Sequence, residues 1–154
     1  MIGASLTSGA PMKTRSLLTL LLFFLFMPHH LTAEDSPGMK YWNGIKAKAH
    51  VTESGLQYKV RTLGDGPRPS PRSKVRVHYN GMLMNGVEFD SSYNEDEPVQ
   101  LSLSRVIEGW QEGIQLMPAG STFTFLIPPE LAYGEKGTDG IPPNSTLIFD
   151  VDLY

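Results

Sequence analysis

The stretch Ile107-Glu108-Gly109-Trp110-Gln111-Glu112-Gly113-Ile114-Gln115-Leu116-Met117 decides how the chain is read. Ile107, Trp110, Ile114 and Met117 recur at spacings of 3, 4 and 3, which places them on one face of a helix. Glu108 and Glu112 stand early, where the positive end of the helix dipole favours acids. Pro118 and Gly120 end the segment. Gly109 and Gly113 each cost about 1 kcal/mol relative to Ala inside a helix, so their presence points to a helix packed closely on a sheet. A strand follows at once: Ser121 to Ile127 puts Phe123, Phe125 and Ile127 on one face, and Pro128-Pro129 ends it.

Working outward, Leu56 to Arg61 alternates apolar and polar residues, as a half-buried strand does. Gly64 to Pro71 is a loop by its turn residues. Val75, Val77 and Tyr79 share one face of a second strand, with His78 on the other. Asn85-Gly86 is a hairpin signal, and Val87 to Phe89 and Val99 to Leu103 read as short strands. Glu130 to Asn144 is irregular. Thr146 to Leu153 is the last strand, with Leu147, Phe149, Val151 and Leu153 pointing one way. The expectation is an α+β fold: five or six mostly antiparallel strands in one sheet packed on one helix.

The N-terminus reads differently. Lys13 and Arg15 precede Leu17 to Met27, an apolar run far shorter than the roughly 20 residues of a spanning helix. Leu31-Thr32-Ala33 offers a cleavage site, so residues 1–33 are expected to be a secretory signal peptide. The remaining 121 residues carry 11 basic and 16 acidic side chains, a formal charge of −5. This balance argues against nucleic-acid binding. Glu34 to Ser54 is polar; a short helix around Tyr41–Ala49 is weakened by Gly44, and residues 34–53 are read as an arm before a domain at 54–154. Residues 34–76 hold nine basic and four acidic side chains, residues 77–154 two and twelve. Interleaving of strands from the two halves is expected to mix these charges.

Chemistry is constrained by what is missing. The chain has no cysteine, which removes disulfides, thiol nucleophiles and cysteine zinc sites. There is no Gly-x-Ser-x-Gly elbow and no Walker loop. His50 and His78 lack convergent partners for a metal, and Glu95-Asp96-Glu97 lacks calcium-loop spacing. No cofactor and no metal are expected. Asn144-Ser145-Thr146 matches a glycosylation sequon but reads as a structural turn. Aromatic and aliphatic residues beside turns, as in Phe89-Asp90-Ser91-Ser92, Val106 to Trp110 and Leu131 to Gly134, suit an apolar pocket and a plain core equally well.

Five motifs in order then carry a resemblance: Val77-His78-Tyr79-Asn80-Gly81, Phe89-Asp90-Ser91-Ser92, Val106-Ile107-Glu108-Gly109-Trp110, Leu131-Ala132-Tyr133-Gly134, and Ile141 to Val151. From about Ser54 to Leu153 the chain resembles the FKBP-type peptidyl-prolyl cis–trans isomerases. Ser54 to Tyr58 is most similar to the secreted bacterial branch, the macrophage infectivity potentiator-like enzymes. The resemblance implies a bent antiparallel sheet of about five strands wrapped around one short helix. It implies an enzyme acting on X-Pro bonds of exported proteins in the periplasm or outside the cell, with a proline-binding module or folding chaperone as the alternative. Trp110 would floor the pocket, and Tyr79, Phe89, Val106, Ile107, Tyr133, Ile141 and Phe149 would wall it. Asp90 would be a buried polar group near the substrate carbonyl. The Ile107 N–H and the Tyr133 hydroxyl would hold peptide carbonyls, making Asp90 and Tyr133 the catalytic pair.

Two departures bear on inhibitors. Val99 follows Pro98 where the family often has an aromatic, and Thr138 and Asp139 stand in a short loop where some members carry His and Pro. They imply a rim more open and more acidic, with macrolide inhibitors such as rapamycin as possible but weaker ligands. The implied partners are proline-containing polypeptides. The short segment before Ser54 leads us to expect a monomer with no membrane anchor once the leader is cut.

Overall fold

A computed structural model describes residues 33–154. The expected leader therefore lies outside the described residues, except for Ala33, which opens a single 3-10 turn at Ala33–Asp35. Among the described residues no helix is long and apolar enough to cross a membrane.

Seven antiparallel strands form one sheet: β1 (His50–Val51), β2 (Gln57–Thr62), β3 (Lys74–Leu83), β4 (Glu88–Ser91), β5 (Val99–Ser102), β6 (Thr122–Ile127) and β7 (Leu147–Leu153). The order is β1-β2-β6-β7-β3-β4. The ten-residue β3 serves two short partners: its first half pairs β5, from Lys74 with Ser102 to Val77 with Val99, and its second half pairs β4. The Asn85-Gly86 hairpin forms as its residues require. Gly86 takes a left-handed φ of 85°, and Asn85 Oδ1 accepts from the Val87 N–H at 3.0 Å. The sequence called for five or six strands. The excess comes from β1, two residues that pair His50 with Tyr58 and are too short to show any periodicity.

The helix α2 (Glu108–Gln115) lies on the inner face of the sheet, as its periodicity demands. Trp110, Ile114 and the following Met117 are buried together with Phe123, Phe125, Ile127, Leu147, Phe149 and Val151. The two helix glycines make this approach possible. A Cβ on Gly109 would stand 2.5 Å from Ile127 Cγ2, and one on Gly113 would stand 2.6 Å from the Phe125 ring.

The outer face differs from expectation. Within residues 34–53, read as an arm, Pro37–Ile45 form a second helix, α1. Ser36 caps it, its Oγ accepting from the Met39 N–H at 3.3 Å, and Pro37 fills the first turn, where a missing N–H costs nothing. Trp42 is 3% exposed and packs with Leu126 and Ile148. Gly38 lies so close to the β3–β4 hairpin that a Cβ would stand 2.7 Å from the Met84 carbonyl oxygen, and its N–H donates to that same oxygen. Burial of one indole outweighs the helix penalty of Gly44, whose absent side chain faces open space.

Candidate functional site

A cleft of about 420 Å³ opens where α2 meets the concave sheet. It is lined by Tyr79 from β3, Asp90 from β4, Leu101 from β5, Arg105, Val106 and Ile107 from the approach to α2, Trp110 from α2, Tyr133, and Phe149 from β7. Trp110 is 4% exposed. Tyr79 and Phe149 stand edge-on to it, with ring centroids 5.1 and 5.2 Å away and interplanar angles of 90° and 83°. This is the favourable edge-to-face geometry of aromatic quadrupoles. The indole Nε1 is buried and finds no hydrogen-bond partner among the described residues. An unpaired buried donor costs roughly 1–3 kcal/mol, a burden that a phenyl ring at the same place would not carry.

The polar groups are few and oriented. Tyr79 Oη donates to Asp90 Oδ2 at 2.7 Å. Burial first, then the neighbouring Asp90, pushes the Tyr79 phenol well above its ordinary pKa. Tyr133 is shifted upward for the same two reasons, in the same order. Both phenols therefore stay protonated donors at any physiological pH. Ile107 caps α2 with extended backbone, φ −58° and ψ 153°. Its N–H precedes the intrahelical ladder.

Seven of the nine residues singled out in the sequence meet here: Tyr79, Asp90, Val106, Ile107, Trp110, Tyr133 and Phe149. Phe89 and Ile141 do not line the cleft. Phe89 stands behind the wall, edge-on to Phe149 at 5.5 Å, with both rings against the bare backbone of Gly81. Ile141 is 4% exposed and packs into the core beneath the loop it closes with Thr138. Asp90 needs a correction of another kind. It is exposed, not buried, because β4 is a short edge strand whose alternation turns Phe89 inward and Asp90 to the rim. His78 has a structural role, stacked on Tyr93 at 5.2 Å with Nδ1 3.2 Å from Ser92 Oγ.

Leu101 and Arg105 were not foreseen. Leu101 lies in a strand that was recognised, but its side toward the cleft is fixed by pairing with Val75. Arg105 had a signal: it is one of only two basic residues among 77–154. It also makes the rim less acidic than the loop composition implied.

The family model of FKBP-type peptidyl-prolyl cis–trans isomerases matches residues 66–154, which include every residue of this cleft. The chain belongs to that family. Among FKBP-type relatives, the 22 kDa peptidyl-prolyl cis–trans isomerase of Escherichia coli K12 is 48% identical over 124 residues, covering 79% of this chain and 60% of the relative. FkpA of Aeromonas hydrophila is 50% identical over 111 residues, 72% of this chain and 41% of the relative. The chain thus spans about half the length of these curated relatives. The crystal structure of FkpA from Escherichia coli superposes with a TM-score of 0.69 at 43% identity, covering 75% of this chain and 55% of that one. The crystal structure of AtFKBP13 gives 0.65 at 38% identity, covering 70% of this chain and 97% of that one.

Proposed function

We propose that the protein catalyses cis–trans isomerisation of X-Pro bonds in exported polypeptides at the Trp110 cleft. One observation carries the reading. The cleft is largely apolar, floored by an indole and walled by Tyr79 and Phe149, and its polar lining is one phenol-bound carboxylate, one further phenol and the Arg105 side chain. That is a site for gripping a ring and a chain, without the nucleophile–base pair needed to break a bond.

The X-Pro amide resists rotation because of its partial double bond, with a barrier of about 18–20 kcal/mol. Its planar form carries the larger charge separation. Transfer from water to an apolar cleft therefore disfavours the planar ground state more than the twisted transition state. Trp110, Val106, Ile107 and Phe149 grip the proline ring. The Ile107 N–H and Tyr133 Oη hold carbonyls on either side of the rotating bond. Asp90, oriented by Tyr79, faces the reacting carbonyl from the rim and becomes buried when the peptide covers it. Each 1.4 kcal/mol removed from the barrier gives about tenfold in rate.

The leader pattern of residues 1–33 supports action outside the cytoplasm, in the periplasm or beyond. The test is a proline-peptide isomerisation assay on the purified protein, with peptide binding measured in parallel. Acceleration that saturates with peptide is expected. Binding without acceleration would leave a proline-binding module in place of an enzyme.

A further inference from the structure

The proline cleft continues beyond Val106. A second depression of about 370 Å³ adjoins it, lined by Lys74, Gln100, Leu101, Ser102, Arg105 and Val106. Leu101, Arg105 and Val106 line both. In the sheet β5 pairs with β3 on one side only, so its other edge presents backbone groups to an extended peptide. Lys74 lies opposite Ser102 in register. Arg105 ends the 3-10 turn Leu103–Arg105 that directly follows β5. That turn is pinned by the fully buried Leu103, whose N–H donates to the Ser73 carbonyl at 3.0 Å. Both cations therefore stand at one fixed corner.

Two cations of the sheet meet carboxylates: Arg76 stands 3.4 Å from Glu97 and Arg61 3.8 Å from Asp150. Lys74 and Arg105 meet no carboxylate at ion-pair distance among the described residues. Asp90 lines the proline cleft but not the second depression, and one of its oxygens accepts from Tyr79. The second depression is thus lined by two cations and no carboxylate, with Arg105 shared between it and the cleft that Asp90 lines.

We propose that the Lys74–Arg105 corner is a substrate subsite for a carboxylate side chain, Asp or Glu, lying within two residues of the isomerised proline. This rests on the isomerase reading above. An extended peptide advances about 3.3 Å per residue, so one or two residues carry a side chain from the proline cleft into the adjoining depression. The corner stands apart from the rotating bond. It adds equal binding to ground and transition states, and its effect falls on KM while kcat stays level.

The test is a set of proline peptides carrying Glu or Gln at each of the two positions before and after the proline, assayed with the full chain. At one position the Glu peptide is expected to exceed its Gln counterpart about fivefold in kcat/KM, the upper end for exposed ion pairs, through KM. The preference should vanish at about 0.5 M salt, where charges this exposed are screened. It should also vanish in Lys74→Gln/Arg105→Gln, and Arg105→Glu should shift it toward a Lys peptide. Each variant is judged by its ratio between two peptides, and the salt series on the unaltered protein decides even where a variant fails to fold. Equal rates for Glu and Gln peptides at all four positions would overturn the subsite and leave the isomerase intact. A preference that survives salt or the double substitution would overturn it too. If no peptide is isomerised, the isomerase reading falls and takes the subsite with it.

Discussion

The two faces of the sheet are built from the same materials to opposite ends. On the outer face, Trp42 of α1 closes over Leu126 and Ile148, and the polar groups beside it bond to one another. Tyr41 Oη donates to Asp150 Oδ2 at 2.6 Å, Thr124 Oγ1 donates to Asp150 Oδ1 at 2.5 Å, and Arg61 Nη1 donates to Tyr41 Oη at 2.9 Å. On the inner face, Trp110 is buried just as deeply, but its Nε1 has no partner, and Tyr133 stands 39% exposed beside it. Trp42 sits beside polar groups that mostly bond one another, although Asn80 Oδ1, opposite Asp150 in register, has no partner among the described residues. A tryptophan that floors a site sits where donors are left open and a wall is missing. The difference lies in what each indole leaves unfinished, since both are almost wholly buried.

The largest test of this contrast is Trp42→Ala. Removing a buried indole should cost about 3–5 kcal/mol, read by denaturant unfolding. Isomerisation per folded molecule should stay near the wild-type value, because α1 contributes nothing to the cleft. A matching loss of kcat/KM would show that the outer face holds the inner one in shape. The glycines give a second contrast. Gly113→Ala forces a Cβ to 2.6 Å from the Phe125 ring, and overpacking of this kind costs about 1–3 kcal/mol. Gly44→Ala meets nothing within 4 Å and should instead stabilise α1 by up to about 1 kcal/mol. Opposite signs are expected from the same pair of thermal melts.

The inner face was legible because two periodicities agreed there. Spacings of three and four in Ile107, Trp110, Ile114 and Met117, and of two in Phe123, Phe125 and Ile127, each have one apolar solution, and the two solutions face each other. The outer face was illegible for the same reason. Once Leu147, Phe149, Val151 and Leu153 had claimed the inside of β7, Ile148 fell on the side normally given to solvent. Only a helix brought across from residues 37–45 buries it, and contacts that distant leave no local pattern. The cleft was readable from motif order, while its exact wall was not. Whether Phe89 or Leu101 touches the cavity depends on how β4 and β5 divide the length of β3 between them.

Asp90→Ala and Tyr133→Phe sharpen the contrast from the other side. Each removes a group from the open wall, and each should lower kcat/KM about tenfold, or about 1.4 kcal/mol of barrier. Both side chains are exposed, so melting temperature should barely move. Ile141→Val trims a residue behind the wall and should do the reverse, costing about 0.5–1.5 kcal/mol of stability with kcat/KM preserved. If Asp90→Ala leaves the rate unchanged, the rim carboxylate serves only to orient Tyr79.

The smallest effect sets two phenols against each other, one on each face. Tyr79 and Tyr41 both donate to a carboxylate, and burial followed by that carboxylate raises both above the ordinary value of 10. At Tyr41 the Arg61 guanidinium pulls the other way, while at Tyr79 nothing opposes the rise. A phenol whose pKa is higher folded than unfolded holds its proton in the folded state while the unfolded chain releases it. Its stabilisation is complete below pH 10 and is lost as pH climbs beyond. Denaturant midpoints should therefore hold steady from neutrality to about pH 9 and then fall, since an unperturbed tyrosine titrates near 10. Tyr79→Phe should flatten that fall more than Tyr41→Phe. Equal flattening would mean that Arg61 leaves the outer phenol as strongly shifted as the inner one.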